Sequence, residues 1–498
     1  MVTAGCPVRL QARRDPEGLA LVAGERRERW RTLDLEVERA AERLRAGKVG
    51  PGERVAVLAA NHPSTVVLLF ALRRLAAAVV PLNARLAPAE LRAQRDRVRP
   101  RLVLADAARL DLLPGAEPLK GWPRHAGAPW PGDDSDPSAD WALLFTSGTT
   151  GQPKAARLSV GAFDALARAS AANLGPRAGD RWLCNLPLFH VGGLGMAVRC
   201  AHDGAALVLH PRFDAEATVR TVHDEAITHL SLVARTLEQC LDAGLDAARL
   251  RAVLVGGGPV PPALVDRARA AGVPVLLTYG LTEACSQVAT ERPGEADGRT
   301  AGPPLPGLEV RVLDDAGRVL PRGEEGILAV RGPTLMSGYL DDPGATAEAL
   351  PDGWLRTGDI GRLDDAGRLA VLARRTDLIL SGGENVYPAE VEAVLAAHPG
   401  VAEVAVVGRP DPRWGQVPVA VVVPRPAASV EDLRPWARAR LAPFKVPAEV
   451  LPAAALPRTA AGKVDRSALL AAVTAPSGPP SFEKLAGAES PPGSMEFK

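Results

Sequence analysis

The run Phe145-Thr146-Ser147-Gly148-Thr149-Thr150-Gly151-Gln152-Pro153-Lys154 constrains this chain more than any other stretch. It follows directly on an apolar segment, residues 141–145, that reads as a strand. Its glycines let the backbone turn tightly enough for several N–H groups to converge on one anion. The serine and threonine hydroxyls and the lysine add donors and charge. A loop of this kind suits the β- and γ-phosphates of a nucleotide. It is not a Walker A loop, because no Gly-Lys pair followed by Ser or Thr stands where that pattern needs it. A plain strand-to-helix turn is the ordinary alternative.

The flanking sequence sets the fold around that loop. Residues 33–44 repeat apolar side chains at helical spacing, 54–58 read as a short strand, and 65–78 as a buried helix, with Val79-Val80 leading to another turn. Further strands are predicted at 182–186, 206–210, 252–255 and 273–277, with helical patterns between them. Strand and helix in alternation favour parallel pairing. After about Gly307 the pattern changes to antiparallel β, with the turns Asp314-Asp315-Ala316-Gly317 and Asp364-Asp365-Ala366-Gly367. Residues 388–397 read as a helix, 401–407 and 417–423 as strands, and another helix starts at Val430. The expected class is α/β and α+β. A large N-terminal domain, 1–375, holds two α/β layers plus a β-rich subdomain, a small α+β domain spans 376–473, and 474–498 is a Pro-, Gly- and Ser-rich tail expected to be disordered.

Composition removes several classes of function. Lysine plus arginine number 59 against 58 acidic residues, and this +1 balance argues against a whole-protein role on nucleic acid. Five scattered cysteines with no C-x-x-C pair support neither a disulfide scaffold nor a zinc ribbon, and suit a reducing cytoplasm. The amino terminus has no signal-peptide pattern. The most apolar window, 65–82, is broken by Arg73 and Arg74, so no membrane span is expected.

The loop 146–154 resembles the phosphate loop of the acyl-adenylate-forming superfamily, which includes acyl- and aryl-CoA synthetases, peptide-synthetase adenylation domains and luciferases. Six further segments match that family in order: Gly256-Gly257-Gly258-Pro259, Tyr279-Gly280-Leu281-Thr282-Glu283, Gly353-Trp354-Leu355-Arg356-Thr357-Gly358-Asp359, residues 374–377, Ser381-Gly382-Gly383-Glu384-Asn385-Val386-Tyr387-Pro388, and Leu456-Pro457-Arg458-Thr459-Ala460-Ala461-Gly462-Lys463. Each segment alone is weak. The ordered set spans nearly the whole chain before the tail.

The resemblance implies an ATP site of Thr146, Ser147, Gly148, Thr149, Thr150, Gly151, Lys154, Gly257, Gly258, Tyr279, Gly280, Thr282, Asp359 and Arg374. Physically, Tyr279 offers a face for adenine. Thr282 and Glu283 offer hard oxygens for Mg²⁺. Asp359 accepts from the ribose hydroxyls, with Arg374 beside it. Lys463 is implied as the catalytic cation between an attacking carboxylate and the α-phosphate. Taken singly, the same residues have ordinary readings: Tyr279 as packing, Thr282-Glu283 as a helix start, Asp359 as a turn residue, Lys463 as an exposed loop lysine. The family also implies a mobile C-terminal domain pivoting at Thr376, where many relatives carry Asp or Lys. Ser381, Gly382, Gly383 and Glu384 are then expected to line the channel for coenzyme A.

No carrier-protein segment follows Lys463, so coenzyme A is the expected acceptor. The acyl pocket is expected from residues 186–194, with His190, Arg199, Gly280 and Ser286 on the acid and His190 near the reacting carboxylate. This stretch, with Arg199, 282–287 and 381–391, is most similar to the 2-succinylbenzoate–CoA ligase branch of the family. A guanidinium takes a second carboxylate bidentately. A solvent-facing Arg199 on a helix is the alternative. A ligase for another aryl, short- or medium-chain acid, and a nucleotide-binding protein without ligase activity, stay open. A homodimer is compatible with all three.

Overall fold

The computed structural model describes residues 5–119, 132–133, 135–146, 153–374, 376–381, 384–426, 432–459 and 463–474. Two compact units emerge, one of Met1–Thr357 with Gly361–Val371, the other of Gly358–Ile360 with Leu372–Lys498.

Side-chain alternation explains the larger unit. In Arg54–Leu58, Val55 and Val57 enter one apolar cluster while Ala56 and Leu58 enter another. In Ala252–Val255, Ala252 and Leu254 share the first cluster, while Val253 and Val255 join a third. A strand buried on both faces belongs in a sheet covered on both sides, the usual setting of parallel strands.

Two such sheets form. The first has seven strands in the order Gly338–Tyr339, Lys154–Ser159, Asp140–Thr146, Ala78–Pro81, Arg54–Leu58, Leu102–Ala105, Glu117–Pro118. The second has eight, in the order Ser286–Thr290, Val275–Leu281, Ala252–Val255, His229–Leu232, Arg181–Cys184, Ala206–Leu209, Leu19–Ala23, Arg26–Arg29. Both contain parallel cores. Helices Trp30–Ala46, Pro63–Arg74, Val160–Leu174 and Val191–Asp203 send Val37, Phe70, Phe163 and Met196 into the cluster shared by both sheets, so they form the layer between them.

Arg73 and Arg74 lie wholly inside this layer. Arg73 grips Asp164 with two bonds of 2.8 and 2.9 Å, and Arg74 pairs with Asp34. The arginines that interrupt the apolar window are thus internal struts. Among the described residues no helix is long and apolar enough to cross a membrane.

Three local expectations are corrected. Val79-Val80 sit inside the strand Ala78–Pro81, since a short apolar run buried on both faces carries no period that separates strand from helix end. The strand Val275–Leu281 continues past Leu277, so Tyr279 and Gly280 are strand residues paired with Ser286–Thr290. The buried strand His229–Leu232 was not anticipated, because His229 and Ser231 break its apolar pattern.

The β-rich part is a four-stranded sheet of Glu309–Leu313, Gly326–Arg331, Leu355–Leu363 and Leu369–Arg374. The smaller unit is α+β. Strands Glu384–Val386, Ile379–Ser381, Gly415–Pro424 and Val401–Asp411 are antiparallel, and Glu449–Pro452 adds in parallel. Val406, Ala420 and Val422 face the helices Pro388–Ala396 and Leu433–Arg438, while Ala405, Val407, Val419 and Val421 face the helix Arg466–Thr474.

Candidate active site

Ser147, Gly148, Thr149, Thr150 and Gly151 lie outside the described residues, but their frame is defined. Thr146 ends one strand, Lys154 opens the next, and the two are paired directly across an antiparallel ladder. The glycine-rich segment therefore joins two strands rather than a strand and a helix. The Lys154 ammonium stands 5.3 Å from the centroid of the Tyr339 ring. The Tyr339 hydroxyl in turn donates to Glu283 Oε1 at 3.0 Å. Lys154 and Glu283, 129 residues apart in sequence, are thus joined by one side chain that the motif comparison did not single out.

Glu283 sits in a short 3-10 turn, Thr282–Ala284, that reverses the chain between Val275–Leu281 and Ser286–Thr290. The reversal is tight. A Cβ on Gly280 would lie 1.5 Å from the Ser286 carbonyl oxygen, so only glycine fits. Cys285 and Ser286 complete the turn at φ of 55° and 91°, the left-handed region that costs a non-glycine residue energy. Thr282 and Glu283 are half-buried. Their adjacent hard oxygens fit Mg²⁺, which takes one or two protein oxygens and keeps its waters. Among the described residues no group of three or more His, Cys, Asp or Glu is arranged to hold a metal.

In the Gly256-Gly257-Gly258 segment the crowded position is Gly256, whose Cβ would meet the Thr278 carbonyl oxygen at 2.4 Å. Gly257 takes φ of 78°, and Gly258 has open space around it.

The expected acyl loop is held from behind by Asn61, a buried residue outside every motif. Its amide donates to the Leu186 and His210 carbonyls at 2.9 and 3.0 Å, and its Oδ1 accepts from Leu188 N at 2.7 Å. A signal was present in the sequence only as a polar residue after the strand Arg54–Leu58. His190 occupies the N-cap of Val191–Asp203 and packs on Phe189 at 4.7 Å between ring centroids. Gly195, one turn along this helix, has Ser286 as a neighbour: a Cβ there would be 3.8 Å from that of Ser286.

Arg199 follows on the same helix and is 4% exposed, which excludes the solvent-facing alternative. It donates to Gln287 Oε1 at 2.8 Å and to Ser170 Oγ at 3.4 Å, and its guanidinium lies 4.5 Å over the Trp182 ring. Burial lowers its pKa, and Nε has no hydrogen-bond partner among the described residues. The same burial pushes the Cys184 thiol up to about 12, so that cysteine is a packing residue.

In the smaller unit, Arg374 Nε lies 2.8 Å from Asp359 Oδ1, and the Asp359 carboxylate is buried. Lys463 is exposed, and its carbonyl accepts from Thr459 N at 2.8 Å. Although solvent reaches this residue, packing around the side chain lowers its pKa, and the Arg374 guanidinium lowers it further. Asp359 acts the other way. Asp359, Arg374 and Lys463 therefore form one electrostatic group. Thr376 follows Arg374 in a turn closed by Asp377 N on the Arg374 carbonyl at 3.0 Å. Ser381 is buried and paired with the exposed Glu384, while Gly382 and Gly383 lie outside the described residues.

The chain belongs to the AMP-binding enzyme family: the family model matches residues 8–340, and that of the AMP-binding enzyme C-terminal domain matches 390–463. Among its relatives, the 2-succinylbenzoate–CoA ligase of Bacillus licheniformis is 37% identical over 91% of this chain and 97% of its own. The o-succinylbenzoate CoA synthetase (MenE) of Bacillus subtilis, solved in complex with the acyl-adenylate intermediate OSB-AMP, superposes with a TM-score of 0.88. It is 34% identical, covering 93% of this chain and 98% of that one. ATP-bound MatB from Rhodopseudomonas palustris, 28% identical over the same shares, gives a TM-score of 0.86.

Proposed function

We propose that this chain is an ATP-dependent ligase that joins 2-succinylbenzoate to coenzyme A in the cytoplasm, as a step of menaquinone biosynthesis. The observation that carries the reading is the near full-length relationship to 2-succinylbenzoate–CoA ligases, with the adenylating residues retained in order. A carboxylate is a poor electrophile. Attack of its oxygen on the α-phosphorus of ATP forms an acyl-AMP and releases pyrophosphate; attack of the CoA thiol on the acyl carbon then forms the thioester and releases AMP.

The roles divide as follows in this reading. Thr146, the glycine- and threonine-rich segment and Lys154 hold the phosphates. Thr282 and Glu283 would hold Mg²⁺, which supplies charge neutralisation on the phosphate oxygens. Gly257, Gly258, Tyr279 and Gly280 bound the adenine, and Asp359, steadied by Arg374, accepts from the ribose hydroxyls. Lys463 places a cation where two anions approach, offsetting repulsion that grows toward the transition state. His190, Gly280 and Ser286 line the acid, and Arg199 supplies positive charge for the second carboxylate. Thr376 is the hinge between the two half-reactions, with 381–384 lining the thiol channel.

The deciding experiment is CoA-thioester formation with ATP and Mg²⁺ on 2-succinylbenzoate, benzoate, malonate and octanoate. A strong preference for the first supports the assignment. Preference for another acid would retain the adenylating chemistry and discard the substrate, and silence on all four would discard ligase activity.

A further inference from the structure

We propose that Tyr339 is a positioning residue that keeps Lys154 and Glu283 apart and aimed, a role that rests on the reading of Glu283 as a magnesium ligand. The two ends of this side chain do different work. Its hydroxyl donates to Glu283 Oε1 at 3.0 Å, fixing a carboxylate that would otherwise sample several rotamers. Its ring carries the Lys154 ammonium at 5.3 Å from the centroid. A cation and a carboxylate that share one neighbouring side chain would gain by closing into a direct ion pair, and that pair would neutralise both the phosphate-binding charge and the metal ligand. Tyr339 offers each a separate partner, its ring to the ammonium and its hydroxyl to the carboxylate.

The backbone under Tyr339 is fixed from two sides, as positioning requires. Gly338–Tyr339 pairs antiparallel with Lys154–Ser159, placing Tyr339 opposite Ala156, two residues along the strand from Lys154. On the other side Tyr339 N donates to Thr346 Oγ1 at 2.9 Å, and a Cβ on Gly338 would meet the Thr346 methyl at 2.7 Å. The Glu283 end is anchored as well, since Met336 N, three residues before Tyr339, donates to the Glu283 carbonyl at 2.8 Å.

The test compares Tyr339→Phe, Tyr339→Leu and Glu283→Gln by calorimetric binding of a non-hydrolysable ATP analogue across a magnesium titration, with melting temperature as a check on folding. Tyr339→Phe keeps the ring and loses the hydroxyl. It is expected to raise the magnesium concentration for half-maximal binding roughly tenfold, the loss of one charge-assisted hydrogen bond, and to leave metal-free binding within about twofold. Tyr339→Leu is expected to weaken metal-free binding too, because Lys154 loses its ring. A Tyr339→Phe variant with the wild-type magnesium dependence, beside a Glu283→Gln variant that shifts it, would overturn the role of Tyr339 alone. An unmoved Glu283→Gln would overturn the magnesium reading itself, and the role of Tyr339 with it.

Discussion

Arg199 donates to Gln287 Oε1 at 2.8 Å while its guanidinium rests on Trp182, so one side chain ties the helix Val191–Asp203 to the strand Ser286–Thr290. Those two elements also bring Gly195 beside Ser286. Arg199→Ala leaves Gln287 and Ser170 without their donor and opens a cavity, an expected cost of about 2–4 kcal/mol. Calorimetry is expected to show a lower melting temperature. Thioester formation is expected to fall more on 2-succinylbenzoate than on benzoate; an equal loss on both acids would make the residue purely structural.

Lys463→Ala is expected to separate the half-reactions. Pyrophosphate release in the adenylation step is expected to fall by about 10²–10³-fold or more, the scale for removing one group that stabilises developing charge. Thioester formation from supplied acyl-AMP is expected to persist. Loss of both steps would sink the division of roles.

The charge set around Lys463 fixes the sign of a pH effect. Packing around the side chain and Arg374 lower its pKa, and Asp359 raises it. In the proposed role the ammonium is the active form, so adenylation is expected to decline as pH rises through a value below that of an ordinary lysine. Arg374→Gln should move that basic limb to higher pH and Asp359→Asn to lower pH, whatever each does to the maximal rate. Single-turnover profiles of pyrophosphate release check both directions, and limbs that do not move would mean that another group titrates.

Gly280→Ala and Gly258→Ala form a contrasting pair. The first places a methyl 1.5 Å from a backbone oxygen, which no rotamer change relieves, and soluble yield or ATP binding is expected to be lost. The second meets nothing within 4 Å and is expected to melt within a few degrees of the parent.

Arg73→Met removes the partner of Asp164 inside the middle layer. Leaving a largely buried carboxylate unpaired is expected to cost about 3–5 kcal/mol. Adding Asp164→Leu is expected to restore most of that, which thermal melts of the single and double variants will show.

Much of the fold was legible because local chemistry and global fold agree. The strand Arg54–Leu58 and the strand Ala252–Val255 fall where β-branched runs and flanking turns put them. His229–Leu232 escaped because His229 and Ser231 break its apolar pattern, and His229 finds its long-range partner only in the fold, stacking on Trp182 at 4.5 Å between ring centroids. Asn61 and Tyr339 escaped for a related reason. Neither belongs to a local pattern, and each acquires its role from partners more than fifty residues away.

The sequence by itself determined the chemical inventory: a glycine- and hydroxyl-rich loop, a Thr-Glu pair, an Asp and an Arg, and a late lysine, in a chain that the family models match. Backbone constraints and functional-group identity are local properties, written in residue types. The tertiary structure decided what those groups face. It turned Arg199 from a solvent-facing option into a buried cation on Trp182, and it set Tyr339 against both Lys154 and Glu283. Such pairings depend on strand register and on which helix face meets which sheet, and both are settled by packing across long stretches of chain.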